Sequence, residues 1–157
     1  MKTIDEIKEF FFTAMLSGWA AASGAKRMII PNLPGYKAFE FREGGLRLVD
    51  CWCVNGDHSA GFTTIWENDI PRWTMHYGGM YPQAAIHVVK RALYLAYEDR
   101  QFYGGRGLLL LEPDGPFGYI NQVLKKDFHD FCGREAVYNN ETRQIVGFHD
   151  YWGISLD

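Results

Sequence analysis

Repeated hairpin punctuation restricts this chain more than any other feature, because strands that double back through two-residue turns can pair only antiparallel. In Phe39–Leu48, a turn at Glu43-Gly44 places Phe41 opposite Leu46, Phe39 opposite Leu48 and Glu40 opposite Arg47, sorting apolar from charged side chains. Between Phe62 and Tyr77, a turn at Asn68-Asp69 pairs Trp66 with Pro71 and Thr64 with Trp73. That register sends Phe62, Trp66, Trp73, Met75 and Tyr77 to one face, and Thr63, Ile65, Arg72, Thr74 and His76 to the other. Gly118–Leu124 reads as a further strand, and a last hairpin runs Glu135 to Tyr138 and Gln144 to Tyr151 around Asn139-Asn140.

Two segments break this pattern with helical spacing. Thr3 and Glu6 form a capping box ahead of Ile4, Ile7, Phe11, Ala14 and Met15, and the helix they open is expected to end near Ser23-Gly24. Residues 82–102 open on Pro82 and carry Ala85, Val88, Val89, Ala92, Leu93 and Ala96 on one face; His87, Lys90, Arg91, Tyr94 and Glu98 form a solvated face. The proline-rich loop 25–36 is expected to fold Met28-Ile29-Ile30 back on the core. The expected architecture is α+β in one domain, residues 1–157: a single antiparallel sheet of about five to seven strands built from hairpins, with the N-terminal and central helices packed on one face.

Sixteen basic against nineteen acidic residues, with no basic run longer than Lys26-Arg27 or Lys125-Lys126, argue against nucleic acid as a partner. Residues 1–24 do not read as a signal peptide, and no apolar run approaches the ~18 residues that would span a bilayer, so no membrane partner is expected. Three cysteines, an odd number, suit a reducing compartment, and the expected location is cytoplasmic. Cys51 and Cys53 share a strand face, but one such pair lacks zinc-ligand spacing, and neither a metal nor another cofactor is expected. Cys132 and His129 lie close in sequence, yet catalytic Cys and His normally meet across a fold. No nucleophile elbow, His-Glu-x-x-His or Walker loop is present, which favours binding over catalysis. Gly104-Gly105-Arg106-Gly107 follows a helix and reads as a turn.

The candidate site begins at Thr74-Met75-His76-Tyr77-Gly78-Gly79-Met80-Tyr81, where an aromatic strand ends on two glycines before a helix. Glycines there let a ligand or second backbone come close. The stretch has an echo in His149-Asp150-Tyr151-Trp152-Gly153, since both hairpins run out through His and Tyr into Gly. A pocket is expected where these strand ends meet the helix, with Trp73, Tyr77, Tyr81, Tyr151 or Trp152 stacking on a planar group. His76, Gly78, Gly79 and His149 lie around it, and Arg91 or Arg106 meets a charge.

The opening helix with Phe11-Phe12-x-Ala14, the Trp73-x-Met75-x-Tyr77-Gly78 strand, the helix after it, Phe131-x-Gly133-x-Glu135 and the closing aromatic-Gly strand resemble a family of small bacterial domains of unknown function. Some members are joined to an XRE-type helix-turn-helix regulator, which has no counterpart here. The resemblance implies one antiparallel sheet with helices, and no catalytic residues. The expected function is a module that binds a planar, anionic, nucleotide-like small molecule, as a sensor or sequestering protein. The alternatives are a small hydrolase using His76 or His149 beside Asp150 or Glu67, and a protein-interaction domain that self-associates as a homo-oligomer.

Overall fold

The computed structural model describes residues 1–21 and 27–156. Within them, strands β1 (Met28–Ile29), β2 (Tyr36–Glu43), β3 (Leu46–Asn55), β4 (His58–Glu67), β5 (Ile70–Met80), β6 (Leu110–Leu111), β7 (Phe117–Asp127), β8 (Asp130–Asn139) and β9 (Ile145–Ser155) form one sheet. Its order is β1-β2-β3-β4-β5-β9-β8-β7-β6, antiparallel throughout. The expected class holds, but the sheet has nine described strands rather than five to seven, because β1 and β6 are two-residue edge pairings that carry no periodicity to read.

Helix α1 spans Ile4–Leu16 behind the Thr3–Glu6 capping box. It stops well short of Ser23-Gly24, which lies outside the described residues. Helix α2 spans Ile86–Glu98 after a single 3-10 turn at Gln83–Ala85, which follows Pro82 with no side-chain cap and winds more tightly than the helix proper. Both helices bury their apolar sides in the same core as Leu48, Ile65, Trp73, Met75 and Phe131. Met28 and Ile29 do not return to that core; they are exposed on the β1 edge.

The first hairpin turns at Gly44-Gly45, one residue later than expected, so Phe41 faces Leu48 and Phe39 faces Asp50. The β4–β5 hairpin begins as expected with Trp66 opposite Pro71, but a bulge at Ile65/Trp66 then shifts the pairing to Ile65 with Trp73 and Thr64 with Thr74. One extra residue exchanges faces. Ile65 therefore joins Trp73 in the core, while Phe62 stands on the opposite face beside His76.

The two echoing strands, β5 and β9, are neighbours at the centre of the sheet, and Tyr77 pairs with Tyr151. The register is symmetric about that pair. Tyr77 leans over Gly61 to reach Asp50, and Tyr151 leans over Gly133 to reach Asn121. A Cβ at either glycine would collide with the tyrosine hydroxyl, so each bare position is what lets its ring cross a strand. Because the strands run antiparallel, Gly79 lies opposite His149, whereas Gly153 lies at the far end opposite Met75. The two glycine ends therefore do not converge.

Candidate functional site

A cavity of about 340 Å³ opens between the inner face of the sheet, the residues after α1 and the side of α2. That is enough room for a small organic ligand. Its aromatic walls are Trp19, Trp52, Tyr77, Tyr81 and Tyr97, with Met15, Ile86 and Leu93 filling between them. Asp50, Arg106 and His149 line its deeper part, and Ser59, Arg27, Lys37, Asp57 and Lys90 line the rest.

The deep charges arrive from separate elements. Asp50 continues the inward-facing series Leu46, Leu48, Asp50, Trp52 along β3 and is 4 % exposed. Its Oδ1 accepts hydrogen bonds from the Tyr77 hydroxyl at 2.8 Å and from Thr63 Oγ1 at 2.9 Å. Burial raises its pKa above the ordinary value, against the opposing pull of those two donors and of Arg106. Both of these bonds go to Oδ1, and Oδ2 makes none among the described residues.

Arg106 comes from the glycine-rich segment after α2. Gly104 and Gly105 both take left-handed backbone (φ +69° and +71°), and side chains there would strike Tyr151 and Met75. Two glycines thus press the segment onto the sheet and send Arg106 into the core at 5 % exposure. Its Nε donates to Glu135 Oε1 at 2.9 Å, and its Nη2 donates to the same oxygen. Tyr119 donates to the other oxygen, Oε2. Glu135 is fully buried, so desolvation pushes its pKa up, but Arg106 and the hydrogen bonds outweigh that and hold it below the usual carboxylate range. The guanidinium also lies over the Tyr77 ring, 4.9 Å from its centroid.

His149 stands next to Glu135 across the β8–β9 pairing. Its Nε2 is 2.9 Å from Ser59 Oγ, and its Nδ1 is 3.9 Å from Glu135 Oε1 with no hydrogen-bond partner among the described residues. Ser59 and His149 sit on strands separated by β5, and they touch because Gly79 lies between them; a Cβ there would crowd His149 and meet the Phe148 carbonyl. Burial and the nearby Arg106 depress the imidazole pKa from 6.5 to about 4, so the ring is neutral at pH 7. The Tyr81 hydroxyl is buried beside Glu135 and Arg106, and burial, the largest cause, raises its pKa. At the mouth, Lys90 lies 4.7 Å from the Trp19 ring centroid, and desolvation together with Arg27 lowers its pKa.

The expected site residues divide sharply. Tyr77, Tyr81 and His149 line the cavity, and Gly79 separates Ser59 from His149. Trp73 is fully buried in the core, where its Nε1 donates to the Phe128 carbonyl at 3.0 Å. Tyr151 is buried and bonded to Asn121 Oδ1 at 2.7 Å. His76 and Trp152 stack on each other at 4.6 Å on the opposite face of the sheet, with Trp152 53 % exposed. Gly78 pairs with Asp150 outside the cavity, and Arg91 is exposed on α2. The cavity adds Asp50, Ser59 and Trp52, which had no part in the expected site, and Arg106 takes the charged position instead of Arg91.

Of the carboxylates expected beside a histidine, Asp150 pairs with Arg134 and Glu67 with Arg72; the carboxylate nearest His149 is Glu135. Among the described residues, no group of three His, Cys, Asp or Glu side chains is placed to hold a metal ion, and no helix is long and apolar enough to cross a membrane. Fold and site together define an α+β domain with a deep pocket, aromatic along its walls and charged at its floor and mouth. No family model, curated protein or solved structure matches the chain.

Proposed function

We propose that the domain binds a small planar, anionic, nucleotide-like molecule in this pocket, acting as a sensor or a sequestering protein. One observation carries the proposal: a single cavity holds aromatic walls, buried hydrogen-bonding charges at its floor and an excess of cations at its mouth. Stacking rings recognise a flat group, and Arg27, Lys37 and Lys90 against Asp57 favour an anion at the entrance.

Native mass spectrometry of the freshly purified protein, followed by denaturation and analysis of released small molecules, tests this directly. Release of a flat anionic compound is expected. Release of a compound lacking either property, or failure of any planar anion to bind the purified protein, contradicts the proposal.

The row Ser59–His149–Glu135 favours one second reading, hydrolysis with Ser59 as nucleophile and His149 as base. Arg106 opposes it, because its charge disfavours the imidazolium that would form. Turnover of the released ligand that is lost in both Ser59→Ala and His149→Gln would establish catalysis; recovery of the ligand intact after prolonged incubation would exclude it.

A further inference from the structure

We infer that the pocket floor reads a ring lactam edge, a carbonyl beside a ring N–H as in uracil- or guanine-type rings, through Arg106 and Asp50, while the ligand's anionic tail rests at the mouth on Lys90 and its neighbours. This rests on the proposed pocket and adds the ligand's chemical class and its direction of entry. Asp50 uses Oδ1 for Tyr77 and Thr63 and has Oδ2 left over as an acceptor. Arg106 uses Nε and Nη2 for Glu135, and its Nη1 makes no hydrogen bond among the described residues. Tyr77 joins the two groups, its hydroxyl on Asp50 and its ring face under the guanidinium.

The floor therefore offers one anionic acceptor at the hydroxyl of Tyr77 and one cationic donor over its ring face. A lactam edge supplies the complement. Its N–H is more acidic than an exocyclic amine and suits a carboxylate, and its carbonyl oxygen suits a guanidinium. An α-amino acid could also meet both groups, but its two charges lie at one end and would leave the cationic mouth empty. The mouth favours a second, separate anionic group, because Arg27, Lys37 and Lys90 line it against Asp57. A flat ring with a polar inner edge and an anionic outer tail is a nucleoside monophosphate or a close analogue.

Isothermal titration of the intact protein with UMP, GMP, CMP, AMP and N3-methyl-UMP tests the inference. UMP or GMP is expected to bind roughly 10-fold to 100-fold more tightly than CMP, AMP and the methylated analogue, the range a good paired contact gives. Which of UMP and GMP wins distinguishes the smaller ring from the larger. Asp50→Asn, which presents an N–H where Oδ2 was, should erase that preference with its unfolding midpoint retained. Lys90→Gln should weaken UMP or GMP but not the unphosphorylated nucleoside. Equal affinity for all five nucleotides, or an unchanged preference in Asp50→Asn, overturns the lactam edge and leaves the planar-anion pocket standing. Binding of other planar anions but of none of these nucleotides overturns it as well, and binding of no planar anion at all removes the proposed pocket with it.

Discussion

The central strand pair follows one backbone plan at both ends and carries opposite side chains on it. On one side of the Tyr77–Tyr151 pair stand Ser59, Gly79 and His149 in a row; on the other, Phe131, Gly153 and Met75 hold the symmetric positions. Large apolar groups fill the second end. Trp73 stacks between Phe128 and Phe131 at centroid distances of 5.0 and 5.2 Å, and Phe102 meets both phenylalanines edge-on. At the first end, Ser59 and His149 replace Phe131 and Met75, and the space they do not fill is part of the cavity. Side-chain volume on a symmetric register, rather than a special loop, thus separates a sealed core from a pocket.

Truncation at either end should give the largest effects, for different reasons. Glu135→Ala leaves Arg106 charged and buried without its partner, at a cost of about 3–5 kcal/mol in denaturant unfolding. Trp73→Ala opens a cavity in the packed end and costs a similar amount, about 3–5 kcal/mol, yet the folded fraction should keep its ligand preference.

Acid comes next. The His149 pKa is about 4 in the fold against 6.5 ordinarily, so between these values the unfolded chain holds a proton that the folded chain does not. Stability is full above pH 6.5, declines as the pH falls toward 4, and loses up to about 3 kcal/mol from this group. Unfolding midpoints measured across that range should show the loss, and His149→Gln should lack it. Asp50→Asn should act in the other direction: burial raises the Asp50 pKa, so the fold disfavours its charge, and the variant's midpoint at pH 7 should equal or exceed that of the parent. The smallest effect belongs to the mouth, where Lys37→Gln should change stability by less than about 0.5 kcal/mol while weakening anion binding.

Much of the scaffold is legible in the sequence, and the reasons differ by element. Capping and turn residues act locally, so the Thr3–Glu6 box and the Asn68-Asp69 turn stand where their residues place them. The β4–β5 faces do not follow, because the bulge at Ile65/Trp66 has no local residue signal and one extra residue exchanges the faces. Tyr77, Tyr81 and His149 could be chosen from the glycine-flanked aromatic strands. Asp50 and Glu135 carried a usable signal, since each is a lone carboxylate in the inward-facing series of its strand, Leu48-x-Asp50-x-Trp52 and Phe131-x-Gly133-x-Glu135-x-Val137. Arg106 could be named as one of two arginines to meet a charge, but its partner could not: Glu135 lies 29 residues away, and only the sheet order brings the two together. Lys90 reads as one of several charges on a solvated helix face until Trp19 and the cavity are placed beside it.

The five tryptophans permit the most direct test of the contrast between the two ends. Trp19 and Trp52 line the pocket, Trp73 lies in the packed end, and Trp66 and Trp152 stand on the opposite face. Their indole N–H signals should be followed by heteronuclear NMR during a titration with UMP and GMP. Trp19 and Trp52 are expected to shift together along one binding curve while Trp73, Trp66 and Trp152 stay in place. Shifts centred on Trp152, or five unmoved signals at saturating nucleotide, would contradict the proposed pocket.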